Sequence, residues 1–393
     1  MSQPPRIPRH VLPVIVVSQF MCTSIWFAGN GIMGDLVAHF DLPEGSLGHI
    51  TSAIQLGFIV GTLVFALLNL ADRFVPTRLF ALSAVLGAAL NLGISLDGLN
   101  LGWVLSFRFL TGFFLAGIYP VGMKIAADHY ARGLGRSLGF LVGALVLGTA
   151  FPHFINGLSL DLEWRTVLYL TSGLALLGGL LMVGLVGNGP YRKPSPKIDL
   201  SAMLKVFRVP PFRAAALGYF GHMWELYTFW AFVPVMLTAY TGAHTETELN
   251  VPLLSFAVIA IGGPACVAGG FLAEKWGTQR TAALALTLSG LCCLLSPLVL
   301  LYAPGAVFIG FLLIWGTAVI ADSPLFSTLV ATNAAAETKG TALTVVNGVG
   351  FSITIVSIQT LTGLQGSIPP YLSYTVLAVG PILGLIALQR NQT

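Results

Sequence analysis

The chain is 393 residues long, 55% hydrophobic and only 9% charged, with a mean hydropathy of +0.85. A soluble domain carries roughly 25% charged residues because water must wet its surface, so this composition excludes an ordinary soluble protein and turns most of the outer surface toward hydrocarbon. The net charge of +4 is too small for a nucleic-acid binder, and the apolar runs are too long for the alternating strands of a β-barrel.

Each apolar run comes near the ~20 residues that cross a ~30 Å hydrocarbon core as a helix. In chain order the sequence predicts spans 1 to 6 over 11–34, 47–70, 76–97, 101–127, 133–157 and 165–187. Spans 7 to 12 follow over 211–239, 252–273, 278–301, 305–333, 338–362 and 368–388. Between the sets lies the most polar stretch, Gly189-Pro190-Tyr191-Arg192-Lys193-Pro194-Ser195-Pro196-Lys197, whose Pro and Lys content suits a solvated linker. The expected organisation is an all-α membrane protein of twelve helices, with a six-helix bundle over 1–187, a cytoplasmic linker over 188–210 and a second bundle over 211–393. Cys22, Cys266, Cys292 and Cys293 all sit inside apolar runs, with neither metal-ligand spacing nor a disulfide framework.

Loop charge orients the chain. Arg9, Arg73, Arg78, the linker bases from Arg192 to Arg208, Lys275, Arg280, Lys339 and Arg390 fall on one side. The opposite loops carry Asp35, Asp41, Asp97, Glu163, Glu246 and Glu248. Basic loops stay in the cytoplasm, so both termini and the linker are expected there, in an inner (plasma) membrane.

The two halves also repeat. Asn69 to Arg78 joins spans 2 and 3, and Gly270 to Arg280 joins spans 8 and 9. Pro120 and Pro324 hold matching places in spans 4 and 10, as do Gly135 and Gly340 at the starts of spans 5 and 11. A repeat of this length is what parallel-related carrier halves produce, with a binding site where they meet.

On these residues the chain resembles the major facilitator superfamily, over essentially its whole length. The segment Gly270 through Arg280 is similar to the family's cytoplasmic loop signature. The first-half copy keeps Asp72, Arg73 and Arg78 but has Leu68 and Val75 where glycines are usual. The resemblance implies a cytoplasmic gate made of Asp72, Arg73 and Arg78 and of Glu274, Lys275 and Arg280. In it a carboxylate at a helix end pairs with loop bases, ordinary positive-inside charge being the alternative for Arg78 and Arg280. Arg108-Phe109-Leu110-Thr111-Gly112 in span 4 resembles a second motif, one tied to proton or substrate coupling. The Gly-rich span-5 pattern of drug/proton antiporters is half present: Gly139, Gly148 and Gly157 remain, but Pro152-His153 replaces the Gly-Pro pair.

Ionisable groups at membrane depth are functional candidates, because an unpaired charge there is costly. Glu225, midway along span 7, is expected to open to a central cavity and carry a proton, with His222 on the same helical face as its partner. A protonated acid bonded to a neighbouring helix is the alternative. Asp322, ahead of Ser323-Pro324 in span 10, is either a second cavity-facing acid or a partner for backbone freed by a kink. Arg108 and Lys124 would draw an anion into the cavity unless they snorkel to the interfaces. Spans 1, 4, 7 and 10 line the cavity in the resembled fold, so Trp26 and Asn30 of span 1 and Tyr227 and Trp230 of span 7 are candidates for an organic ligand. Helix packing is the alternative for each.

No span presents a nucleophile with its base or a metal cluster, and no Gly-Lys-Ser/Thr phosphate loop occurs. Neither an enzyme nor an ATP-driven pump is expected, and no cofactor. The expectation is a secondary active transporter that moves a small-molecule substrate by alternating access, in the form of proton-coupled uptake of a small organic or inorganic anion. Proton-driven efflux of a hydrophobic compound is the alternative, and a non-transporting membrane receptor or scaffold is the alternative of another class. The chain is distantly similar to the nitrate/nitrite and cyanate carriers, yet the nitrate branch has arginines in spans 2 and 8 where none stands here. The resemblance implies a monomer in a lipid bilayer with no nucleic-acid partner.

Overall fold

A computed structural model describes residues 7–43, 45–130, 134–158, 163–192, 206–246, 248–335 and 339–390, without the side chains of 134–136. The linker residues Lys193, Pro194, Ser195, Pro196 and Lys197 lie outside the described residues. Among the described residues helices fall at all twelve expected positions and no strand occurs. Nine are long and apolar enough to cross a membrane: Ser46–Leu67, Leu101–His129, Ser137–Gly157, Arg165–Leu185, Val251–Trp276, Thr278–Tyr302, Gly305–Asn333, Lys339–Leu364 and Pro370–Gln389. Span 1 opens with the shorter apolar helix Val11–Thr23, and spans 3 and 7 are Pro76–Gly93 and Pro210–Ala243. Span 7 is a single helix of 34 residues that buries Tyr219, His222, Glu225, Tyr227, Thr228 and Trp230 against protein. Leu180, Leu298 and Leu383 are more than half exposed, the face that helices offer to acyl chains.

Three breaks position the interior, and each has a local cause. In span 1 the helix stops at Thr23 and resumes as Ala28–Gly31 and Met33–Phe40. Thr23 and Ser24 turn their hydroxyls back to the carbonyls of Gln19 and Met21, at 2.8 and 2.7 Å, a pairing that competes with helix continuation. Span 4 runs as Leu101–Leu115 and then Tyr119–His129, with Pro120 in the first turn of the second piece. Span 10 runs as Gly305–Ala321 and then Ser323–Asn333, with Pro324 placed likewise. Proline has no N–H to continue the preceding turn, so the matched prolines become matched breaks. In the loop between spans 8 and 9, Gly277 takes a φ of 86°, and between spans 2 and 3 Asn69 takes 49°. Asparagine tolerates that left-handed conformation, so the first-half loop turns without the glycines missing at Leu68 and Val75.

Two seams join first-half to second-half helices. Span 2 meets span 11 where Gln359 donates to Ser52 Oγ at 2.8 Å and Phe58 packs on Phe351. Span 5 meets span 8 where Asn250 donates to the carbonyl of Gly157 at 3.0 Å and Phe154 packs on Phe256. Both seams hold at the end away from the linker. Toward the linker, spans 5, 8 and 10 part around a crevice of about 720 Å³, lined by Gly139, Phe140, Cys266, Phe271, Glu274 and Leu325 among others.

Candidate functional site

Arg108 is fully buried in span 4. Its guanidinium donates to the carbonyl of Ile25 at 3.1 Å, to the carbonyl of Trp26, and to Asn91 Oδ1 at 3.3 Å. Those carbonyls belong to the break in span 1, so the side chain satisfies backbone groups that helical N–H donors no longer reach. Asn91 is fixed in turn by donating to Thr171 Oγ1 at 3.2 Å and Ser172 Oγ at 2.9 Å in span 6. Gly112, one turn on, lets span 4 lie against span 2: a methyl group there would fall 2.9 Å from the carbonyl carbon of Ile54. The Arg-to-Gly motif therefore pins one helix and seats another. Snorkelling of Arg108 to the interface, and its projection into a cavity, are both corrected by this geometry.

The turn that Arg108 pins makes aromatic contacts between the two halves. The Trp26 ring centre lies 4.8 Å from Phe58, 6.0 Å from Tyr227 and 6.1 Å from Phe351. Phe27 lies 6.4 Å from both Tyr227 and Trp230, and Tyr227 meets Trp230 at 5.2 Å. All six rings are buried. The indole N–H groups of Trp26 and Trp230 have no hydrogen-bond partner, and neither has the amide of Gln55, about one turn from Phe58. Buried polar groups without partners are costly and few in a folded protein.

Glu225 and Asp322, the two acids expected at membrane depth in the second half, are buried, but away from this junction. Glu225 accepts from Trp315 Nε1 at 2.6 Å, Ser289 Oγ at 2.9 Å and Cys293 Sγ at 3.4 Å. These partners stand on spans 10 and 9, so the carboxylate is enclosed within the second half and does not open to a central cavity. The cause is helical rotation: Glu225 precedes Tyr227 by two residues, roughly 200° around span 7. His222 does not pair with Glu225 either. Its Nδ1 stands 2.8 Å from Asp322 Oδ1 at the break in span 10, with both side chains buried, so Asp322 also faces a side chain and not an open cavity.

Lys124 is held at the linker end, 3.1 Å from Asp72 Oδ1 and 3.4 Å from Asp128 Oδ1. It thus stands beside Asp72 and Asp128 at the linker end, a correction to its placement in a substrate cavity. Arg192 donates to the carbonyls of Asp72 and Phe74 at 3.1 and 2.9 Å, which ties the start of the linker to the same loop. Among the described residues Arg73, Arg78, Glu274, Lys275 and Arg280 are exposed at this end and form no ion pair. Asp72 therefore meets a base from span 4 where loop bases were expected. At the opposite end Asn30 donates to Thr51 Oγ1 at 2.8 Å and lies in the wall of a second cavity, about 440 Å³, between spans 1, 2, 7, 11 and 12.

Residues 15–358 match the sequence pattern of the Major Facilitator Superfamily. The chain belongs to that superfamily. Its apolar helices make it a multi-pass membrane protein of that superfamily. Curated relatives include the uncharacterized transporter YgaY of Escherichia coli O157:H7, 29% identical over 184 residues, which are 44% of this chain and 45% of the relative. The niacin transporter NiaP of Acinetobacter baylyi is 29% identical over 161 residues, 35% of this chain and 36% of that protein. Each alignment spans less than half of the relative's own length. Among solved structures, a bacterial homolog of the human lysosomal transporter Spinster, inward-facing and unoccupied, superposes with a TM-score of 0.70 at 15% identity, covering 97% of this chain and 94% of the other. The nucleoside transporter NupG gives 0.73 at 13% identity, covering 97% and 99%. At such identities the likeness is one of fold.

In this superfamily member the sequence left several positions of the candidate site unmarked. Phe27, Phe58 and Phe351 complete the aromatic junction, and Asn91, Ser289, Cys293 and Trp315 hold the buried charges. The pairing of Lys124 with Asp128 was visible as an i,i+4 acid–base spacing. The aromatics of spans 2 and 11 carry no comparable signal, since lipid-facing rings look the same in sequence.

Proposed function

We propose that this transporter performs proton-coupled uptake of a small organic acid with a planar ring, bound among Trp26, Phe27, Tyr227, Trp230 and Phe351. Alternating access would move it between bundles 1–187 and 211–393, with the linker end in the cytoplasm as the basic loops suggest. The observation that carries this reading is the buried junction where two indole N–H groups lack acceptors. Rings suit a flat body, and unpaired donors suit the oxygens of a carboxylate. Arg108, bonded to the Trp26 carbonyl and with no carboxylate in ion-pair range among the described residues, adds positive potential behind the site. A relative named for niacin, itself a planar ring bearing a carboxylic acid, supports the same class. Inorganic anions fit less well, because Lys124 is occupied by Asp72 and Asp128.

For the proton, the His222–Asp322 pair takes the place first given to Glu225. It lies at the span 10 break, next to Leu325 of the crevice wall. Efflux of a hydrophobic compound is the second reading, favoured by the apolar side chains Phe140, Phe271 and Leu325 in that crevice.

The test is uptake of labelled nicotinate and benzoate into proteoliposomes under an inward proton gradient. Trp26→Phe and Trp230→Phe keep the rings and delete the donors, so each is expected to raise KM by about tenfold with little change in thermal midpoint. Unchanged KM in both variants, or gradient-driven export of lipophilic dyes with no acid uptake, would sink the reading.

A further inference from the structure

The cavity of about 440 Å³ at the end away from the linker is lined by Asn30, Met33 and Leu47 from the first half and by Phe232, Val235 and Leu361 from the second, among others. Asn30 lies one turn beyond Trp26 on span 1, and Ala231 and Phe232 directly follow Trp230 on span 7. The cavity is therefore next to the aromatic junction on its far side. Among the described residues no charged side chain lines it, and Thr238, Gln365, Ser373 and Tyr374 supply its other polar groups. Its volume is in the range that holds one small organic molecule.

Asn30 is only 5% exposed, and its neighbours fix its amide orientation. Thr51 Oγ1 donates its proton to the carbonyl of Leu47 at 2.7 Å, so toward Asn30 it can only accept. That puts Asn30 Nδ2 against Thr51 and leaves Oδ1, an acceptor, without a partner.

We propose that this cavity is an antechamber of the transport path that takes the solute in an uncharged form, through a hydrogen bond donated to Asn30 Oδ1. For the organic acid of the proposed function, on which this inference rests, that form is the protonated acid. A carboxylate entering here would meet no cation among the described residues and would face an acceptor oxygen at Asn30; the neutral acid avoids that repulsion and supplies the missing donor. His222, ten residues before Phe232, is roughly 15 Å away along span 7, too far to neutralise an anion in the cavity.

Benzamide, benzoic acid and methyl benzoate share a ring and differ in their donor. Binding to the purified protein in nanodiscs is measured by calorimetry across the acid-to-neutral range. Benzamide is expected to bind about tenfold more tightly than methyl benzoate, and the affinity for benzoic acid to rise with its neutral fraction as pH falls. Asn30→Leu should abolish the amide-over-ester preference and leave ester binding in place, while Leu180→Ala, on the exposed face of span 6, should leave the preference intact. Equal binding of amide and ester to the unchanged protein, a preference that survives Asn30→Leu, or benzoic acid affinity that ignores pH overturns the inference. Acid uptake is read on the same protein preparation in proteoliposomes, so absent transport with the preference retained counts against the proposed substrate and for the antechamber.

Discussion

Arg108 of span 4 donates to the backbone carbonyl of Trp26 in span 1, so a buried charge on one helix decides where an indole on another stands. Lysine offers a point charge without the planar fork and cannot serve the carbonyls of Ile25 and Trp26 and the amide of Asn91 together. Arg108→Lys is expected to keep a near-normal thermal midpoint and raise the KM for a transported acid by about tenfold. Arg108→Leu leaves three acceptors without this donor at roughly 1–3 kcal/mol each, and is expected to lower the midpoint as well. A normal KM in Arg108→Lys would deny the positioning role.

The seating of span 4 on span 2 rests on the absence of a side chain at Gly112. Gly112→Val would drive its methyls into the backbone of Ile54 and Phe58, an overpacking that costs about 1–3 kcal/mol. Gly173, in span 6, has open space where its Cβ would be, so Gly173→Val should leave the midpoint near that of the unchanged protein. Thermal unfolding in detergent compares the two, and equal midpoints would mean that span 4 can shift without loss.

Length and hydropathy made the helices legible, because hydrocarbon thickness imposes one run length on every crossing. Pro120 and Pro324 announced the breaks in spans 4 and 10 through a property of the residue itself. The direction in which a side chain points was not legible. Glu225 and Tyr227 were each expected at the central cavity, yet two residues of helix send them to opposite sides, and the partners of Glu225 come from spans 9 and 10. His222 and Asp322 lie far apart in the chain, and only packing at the span 10 break joins them. Asn30, Trp26, Tyr227 and Trp230 could be marked as candidates by type, but the cavity beside one and the missing partners of others depend on neighbours from the other half.

Lys124 stands between Asp72 and Asp128. Asp72→Asn leaves the lysine with Asp128, a partly exposed pair of modest worth, and is expected to cost about 1 kcal/mol or less. Lys124→Met removes the cation and leaves two carboxylates close together, so its cost should be clearly larger. A double-mutant cycle in chemical or thermal unfolding measures the coupling. Single costs that simply add up in the double variant would show that the pairing contributes little beyond its separate parts.

Glu225 and Asp322 make opposite predictions for pH dependence. Glu225 is surrounded by donors from Trp315, Ser289 and Cys293. In Glu225→Gln one acceptor oxygen becomes an NH₂ facing those donors, an expected loss of about 1–3 kcal/mol in stability. The pH profile of whatever transport remains should keep its shape, because an acid sealed behind spans 9 and 10 does not exchange protons during the cycle. Asp322→Asn removes the partner of His222 at the span 10 break, beside the crevice, and should flatten that profile. Uptake is measured across the acid-to-neutral range at fixed membrane potential, with protein stability followed in parallel. A flattened profile in Glu225→Gln beside a normal one in Asp322→Asn would return the proton to Glu225, and spans 9 and 10 would then have to part far enough during transport to let water reach it.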